Sequence, residues 1–308
     1  MNREIILART ATLELSRHDH PADQKHVDPA EEVGRHWSLS LVEANAFEVR
    51  VGRNRWRLTE GSAFLSRPGL VYRCAHDHHE PLDVCLSLAI HPSLIEALRS
   101  ADLFPDHAPS GTPASNRLRY LHHRLQRWQE SGGELLAGET LAGELVATAA
   151  QPSQRPMPLF RPAQLRRYAG SVDAARHRLE TEHARRHTLT ALAAEAGMSL
   201  YHFARVFRQL AGVPPHRYLL KVRLARAADL LRSGVAVSRT CYDVGFDSLS
   251  HFAEAFRKEY GVVPSRYAGG TEKGERGREK GEGRKGRAGE VRRGYGEQDR
   301  GGAPANCC

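Results

Sequence analysis

Tyr201, Ala204, Arg205 and Arg208 stand at i, i+3, i+4 and i+7, a spacing that brings four side chains onto one face of a helix. A helix is narrow enough to enter the DNA major groove, and an arginine on its outer face carries the donor fork that matches guanine O6 and N7. The chemistry predicted is hydrogen bonding to base edges, and no catalytic residue is predicted. A second constellation is Cys74-Ala75-His76-Asp77-His78-His79, followed by Cys85. A hairpin turning between His79 and Glu80 would set Cys74 opposite Cys85, and His76 opposite Asp83. Cys74, His76 and Cys85 are then candidate ligands for Zn²⁺ or another soft ion. The alternative has the cysteines packing as small apolar residues and the histidines making a polar turn, with no resident cofactor.

The elements that position the arginine face occur twice. Tyr201 to Tyr218 reads YHFARVFRQLAGVPPHRY and Ser250 to Tyr267 reads SHFAEAFRKEYGVVPSRY, a match at an offset of 49 residues with ten of eighteen positions identical. Two copies are too few for a solenoid, so paired subdomains are expected. In the first copy, Leu189, Leu192, Ala193 and Ala196 have helical spacing, Gly197 ends that helix, and Ser199 is placed to cap the next. Phe203, Val206, Phe207 and Leu210 form its buried stripe. The second copy repeats the design with Val237 to Val244, Gly245, a cap at Asp247 or Ser248, and Phe252, Ala255 and Phe256 facing inward. Both read as helix-turn-helix units, at about 189–210 and 237–260. Tyr218 to Arg232 is an amphipathic helix between them, with Leu219, Val222, Leu230 and Leu231 among its apolar positions.

Charge follows the same division. Residues 1–164 carry a balance of −2, residues 165–268 of +8 and residues 269–308 of +3, within the overall +9. A basic, compact second half is the part expected to meet a polyanion.

These segments resemble the DNA-binding domain of AraC/XylS-type transcriptional regulators, over about 100 residues. The resemblance implies seven helices whose two recognition helices lie in successive major grooves on one face of DNA. It implies base contacts from Tyr201, Ala204 and Arg205, and from Leu249, Ser250, His251 and Glu254, with Arg208 and Arg257 on the same faces. Glu254 stands where the family usually has a basic residue, and an acid there can accept from cytosine N4. Thr240 and Cys241 replace an apolar residue and an alanine.

Gln151 to Pro162 holds four prolines in twelve residues, which prevents a continuous helix and marks a linker at 151–164. Ahead of it, Val49 and Val51 alternate with Arg50, and a turn between Val51 and Trp56 near Asn54 reads as a hairpin. Gly61 to Tyr72 (GSAFLSRPGLVY) resembles the glycine and Pro-Gly motif of cupin jelly rolls, with Tyr72 where metal-binding cupins have histidine. Residues 113–150 read as helices: Leu118, Leu121, Leu125 and Trp128 form one stripe. Leu135, Leu141, Leu145 and Val146 contribute to another after Gly132-Gly133. The last forty residues carry 12 of the 27 glycines and are expected to be disordered. Cys307-Cys308 could suggest lipidation, but no other membrane signal accompanies it.

The expected architecture is multidomain α+β: a cupin-like β-barrel with helices over 1–150, an all-α double helix-turn-helix domain over 165–268, and a basic Gly-rich tail over 269–308. The expected function is sequence-specific, effector-responsive transcription regulation without enzymatic activity. The expected partners are double-stranded DNA, RNA polymerase, a small-molecule effector and a second copy of the chain in a homodimer, in the cytoplasm and away from membranes. The alternative is a cupin-type metal-dependent enzyme fused to a DNA-binding module.

Overall fold

The computed structural model describes residues 3–19, 30–76, 84–151 and 157–273. Its strands are β1 (Arg3–Arg9), β2 (Leu13–Asp19), β3 (Glu32–Val33), β4 (Trp37–Ala44), β5 (Ala46–Val51), β6 (Asn54–Thr59), β7 (Ala63–Ser66), β8 (Val71–His76), β9 (Val84–Ile90) and β10 (Gly111–Thr112). Helix α1 (Pro92–Ser100) follows β9, and α2 (Asn116–Ser131) and α3 (Leu135–Ala150) follow β10. The remaining chain is helical: α4 (Pro162–Thr181), α5 (Leu189–Glu195), α6 (Leu200–Ala211), α7 (Pro215–Arg232), α8 (Val237–Asp243), α9 (Leu249–Tyr260) and α10 (Pro264–Lys273). The chain divides into two compact units that part near Ala169 and Gly170. Among the described residues, no helix is long and apolar enough to cross a membrane.

The N-terminal unit contains two antiparallel sheets, ordered β1-β2-β9-β4-β7-β10 and β3-β8-β5-β6. Alternation assigns their faces. In the first sheet, Leu39 pairs with Leu88 and Leu41 with Leu86 on one face. Glu43 shares that face and accepts hydrogen bonds from α2, at 3.1 Å from His122 Nε2 and 2.7 Å from Gln126 Nε2. Helix therefore covers the leucine face. The opposite face carries Val42 and Cys85, which join Phe47, Val49, Leu58, Tyr72 and Cys74 of the second sheet in one buried cluster. The two sheets thus pack face to face around a shared core.

On that inner face, Ser16, Ser40, Ser66 and Ser87 are buried. Ser16 pairs with Ser87, and Ser87 with Ser40, so three hydroxyls line up across adjacent strands. The second sheet keeps one solvated face. Phe47 and Val49 point inward, while Glu48 points out to accept from Arg50 at 2.6 Å and to pair with Arg55. The expected hairpin is present, with Val51 opposite Asn54 and Gly52 at φ +57° in the two-residue turn.

The hairpin expected to join Cys74 to Cys85 does not form. β8 pairs with β3 and β5 in the second sheet, whereas β9 pairs with β2 and β4 in the first. Burial distinguishes the two strands: β9 is covered on both faces at the centre of its sheet, whereas Val71 and Arg73 of β8 face solvent. Cys74 and Cys85 instead reach one core from opposite layers. The turn residues Asp77 to Asp83 lie outside the described residues.

Helices α2 and α3 bury Leu118, Leu121, Leu125, Trp128, Leu141, Leu145 and Val146, with Gly132 at φ +62° between the helices. Leu135 departs from expectation: at the first position of α3 it is 61% exposed. Of the expected linker, Pro158 and Phe160 are strapped to Asn116, which donates to Pro158 O at 3.0 Å and accepts from Phe160 N at 2.8 Å. Pro162 opens α4, a position where its missing N–H has no helical partner to lose. At the other end, α10 continues through Lys273, past the boundary expected at 268, and residues 274–308 lie outside the described residues.

Candidate nucleic-acid interface

Local signals build the C-terminal unit. Thr188 caps α5, its hydroxyl accepting from Ala191 N at 3.1 Å, and Gly197 at φ +61° reverses the chain. Ser199 then caps α6, accepting from His202 N at 3.4 Å. Phe203, Val206, Phe207 and Leu210 are all fully buried. That packing leaves the opposite face to solvent: Tyr201 is 86% exposed, Arg205 and Arg208 are exposed, and Ala204 is half-buried.

The second unit repeats this plan. Its cap is Ser248, which accepts from His251 N at 3.5 Å, so of the two expected caps Asp247 is not the one used. Phe252 and Phe256 are buried beneath α9, while Leu249, Ser250, His251, Glu254 and Arg257 are exposed. Both outer helices end on glycines in the left-handed region, Gly212 at φ +82° and Gly261 at φ +74°. The copies differ in their turns. Four residues lie between Gly197 and His202, but five between Gly245 and His251. The extra length places Phe246 in the core, its ring 5.6 Å from that of His251. Thr240 and Cys241 are fully buried, and burial pushes the Cys241 thiol up.

Several positioning residues were not apparent from periodicity. A Cβ on Gly245 would stand 2.5 Å from Ala184 O, so the second turn rests on the loop ahead of the first unit. Arg223 of α7 grips that loop by donating to His183 O at 2.8 Å and Arg185 O at 2.9 Å, and burial pulls its pKa below the usual value. Arg186 meets Asp247 at 3.2 Å across the same junction. Each repeat also closes with an arginine over a tyrosine. Arg176 donates to Tyr218 Oη at 2.9 Å, and Arg232 donates to Tyr267 Oη at 3.2 Å. The Tyr218 hydroxyl donates in turn to Glu180; burial and that carboxylate push it up to about 12 against the pull of Arg176. The identical Tyr218 and Tyr267 were the sequence signal for this pair of latches. In α7 the inward positions are Leu224, Ala227, Ala228 and Leu231, whereas Leu219, Val222 and Leu230 are only half-buried. Ala227 and Ala228, both fully buried, take the inward positions between Leu224 and Leu231.

Of the candidate metal ligands, Cys74 and Cys85 are core residues and His76 ends β8. Among the described residues, no three His, Cys, Asp or Glu side chains form a group able to hold a metal.

Residues 192–269 match the family model described as "Helix-turn-helix domain". The DNA-binding domain of AdpA, solved in complex with a target DNA, is 30% identical over 33% of this chain and 90% of its own, with a TM-score of 0.30. The C-terminal region is an AraC-type helix-turn-helix domain. The protein is a DNA-binding transcription regulator, with a sheet-rich N-terminal part and a helical C-terminal helix-turn-helix region. A probable AraC family transcriptional regulator from Rhodopseudomonas palustris is 27% identical over 32% of this chain and 95% of that one, with a TM-score of 0.31. ToxT from Vibrio cholerae is 11% identical over 84% of this chain and 98% of its own, with a TM-score of 0.32. No curated protein matches the chain.

Proposed function

We propose that this regulator reads a specific DNA sequence with α6 and α9, and that its N-terminal unit is a cupin-like jelly roll that receives a small-molecule effector. Tyr201, Ala204 and Arg205 contact bases from the first helix, and Leu249, Ser250, His251 and Glu254 from the second. Arg208 and Arg257, one turn further on, meet phosphate. The observation that carries this reading is the twice-repeated helix with an aromatic-backed buried face and these residues turned to solvent. A lone amphipathic helix would be an ordinary surface helix; two with matched caps and turns inside a basic unit point to the groove.

The domains proposed are a sensor and dimerisation domain over 1–150, a linker over 151–164 and a DNA-binding domain over 165–268. Inside the sensor, the buried serines support effector binding, because hydroxyls between two sheets offer hydrogen bonds that a purely apolar core lacks. Effector binding alters how two DNA-binding domains of a homodimer are presented, or how RNA polymerase is contacted. The protein acts in the cytoplasm and catalyses no reaction. Binding-site selection from a random double-stranded DNA pool with the full chain tests the reading: it predicts one enriched sequence with two contacted segments. Recovery of no preferred sequence overturns it.

A further inference from the structure

We infer that His202 positions the Arg205 guanidinium for base readout. The inference rests on the reading of α6 as a helix that enters the groove. Arg205 Nη2 lies 3.1 Å from His202 Nδ1. Arginine has donors and no acceptor, so in this contact the guanidinium donates and His202 Nδ1 accepts. One of the five guanidinium N–H groups is thereby used. The others still include a complete two-donor fork, which is what guanine O6 and N7 require.

The support for this bond is local to one helix. The Ser199 hydroxyl caps the backbone N–H of His202, and His202 stands one turn before Arg205 on the same helix. A long, exposed side chain otherwise samples many rotamers, and binding must then overcome the entropy of fixing one. His202 removes part of that cost before DNA arrives. The second copy has the same histidine without the same task. His251 sits edge-on to the Phe246 ring supplied by the longer turn, and position 254 is Glu rather than Arg. The device therefore belongs to the first helix alone, and sequence discrimination is expected to be sharper under α6 than under α9.

The test compares full-length wild type with His202→Phe, His202→Ala, His202→Gln and Arg205→Ala. Each competes a selected site against the same site changed at the base pair that Arg205 reads. His202→Phe and His202→Ala should lose about two- to tenfold in discrimination at that pair, the range expected for one hydrogen bond, with nonspecific affinity and melting temperature unchanged. His202→Gln, whose amide oxygen can accept from Arg205, should recover most of the loss. Wild-type discrimination in both His202→Phe and His202→Ala overturns the inference. So does a Gln variant no better than Phe, or a loss shared equally by all sequences. If Arg205→Ala changes neither affinity nor preference, the groove assignment of α6 fails instead, and the inference falls with it.

Discussion

Ser66 holds its hydroxyl between two sheets, at 3% exposure, without a hydrogen-bond partner among the described residues. An unpaired buried hydroxyl costs free energy, so Ser66→Ala should stabilise the protein by about 1 kcal/mol. Thermal denaturation checks this, and a lowered melting temperature would contradict it. At the DNA surface, Arg205→Ala removes a base contact worth roughly 1–3 kcal/mol while leaving Phe203, Val206 and Phe207 in place. Glu254→Ala should behave differently. If the acid only repels phosphate, binding to every sequence strengthens; if it reads cytosine, preference at one position disappears. Binding-site selection on both variants separates these outcomes. The outward face of α6 was legible in the sequence because helical period alone sorts Arg205 from Phe207. The bond from Arg205 to His202 was not, since it depends on a rotamer rather than on spacing. Register was equally hidden for Cys74 and Cys85, because the partner of a strand is chosen by residues far away in sequence.

At the scale of elements, two turn glycines that look alike have different duties. Gly197 and Gly245 both have positive φ, but a Cβ on Gly197 meets nothing within 4 Å, whereas one on Gly245 strikes Ala184 backbone. Gly197→Ala should therefore cost about 1 kcal/mol from backbone strain alone. Gly245→Ala should cost distinctly more, and equilibrium unfolding in urea measures the difference. Equal losses would mean that the close approach to Ala184 is not maintained in solution. In the N-terminal unit, Glu43 joins β4 to α2. Burial opposes its ionisation, yet His122, Gln126 and Arg17 outweigh that effect and hold its pKa below the ordinary carboxylate value. A carboxyl with a lowered folded-state pKa contributes stability above its unfolded pKa and loses it as pH falls through the folded value. Glu43→Gln should accordingly cost about 1–2 kcal/mol at neutral pH. The gap to wild type should close as pH falls below the ordinary carboxylate range. A pH-independent gap in urea midpoints would show that the charge of Glu43 is not responsible.

Across the whole molecule, charge separates the two halves. With a balance of +8 over 165–268 and −2 over 1–164, DNA affinity should reside in the C-terminal unit and weaken steeply as salt rises. Filter binding of full-length protein across a salt series, alongside a variant with Arg208 and Arg257 both changed to Ala, should give a shallower slope for the variant. An unchanged slope would remove these two arginines from the phosphate contacts. The helical half was legible because its information is local: caps, turn glycines and a repeat that could be aligned by eye. Most of the sheets were not, because β1, β2 and β4 owe their places to partners such as β9, across stretches of chain that carry no periodic signature. Although the two helix-turn-helix copies look like products of one duplication, they have ceased to be interchangeable parts. The later copy leans on the approach to the earlier one, with Arg223 from the connecting helix as the fastening. A chain cut between the copies would strand the second half without its footing, and exchanging their order would leave Gly245 with nothing to rest against.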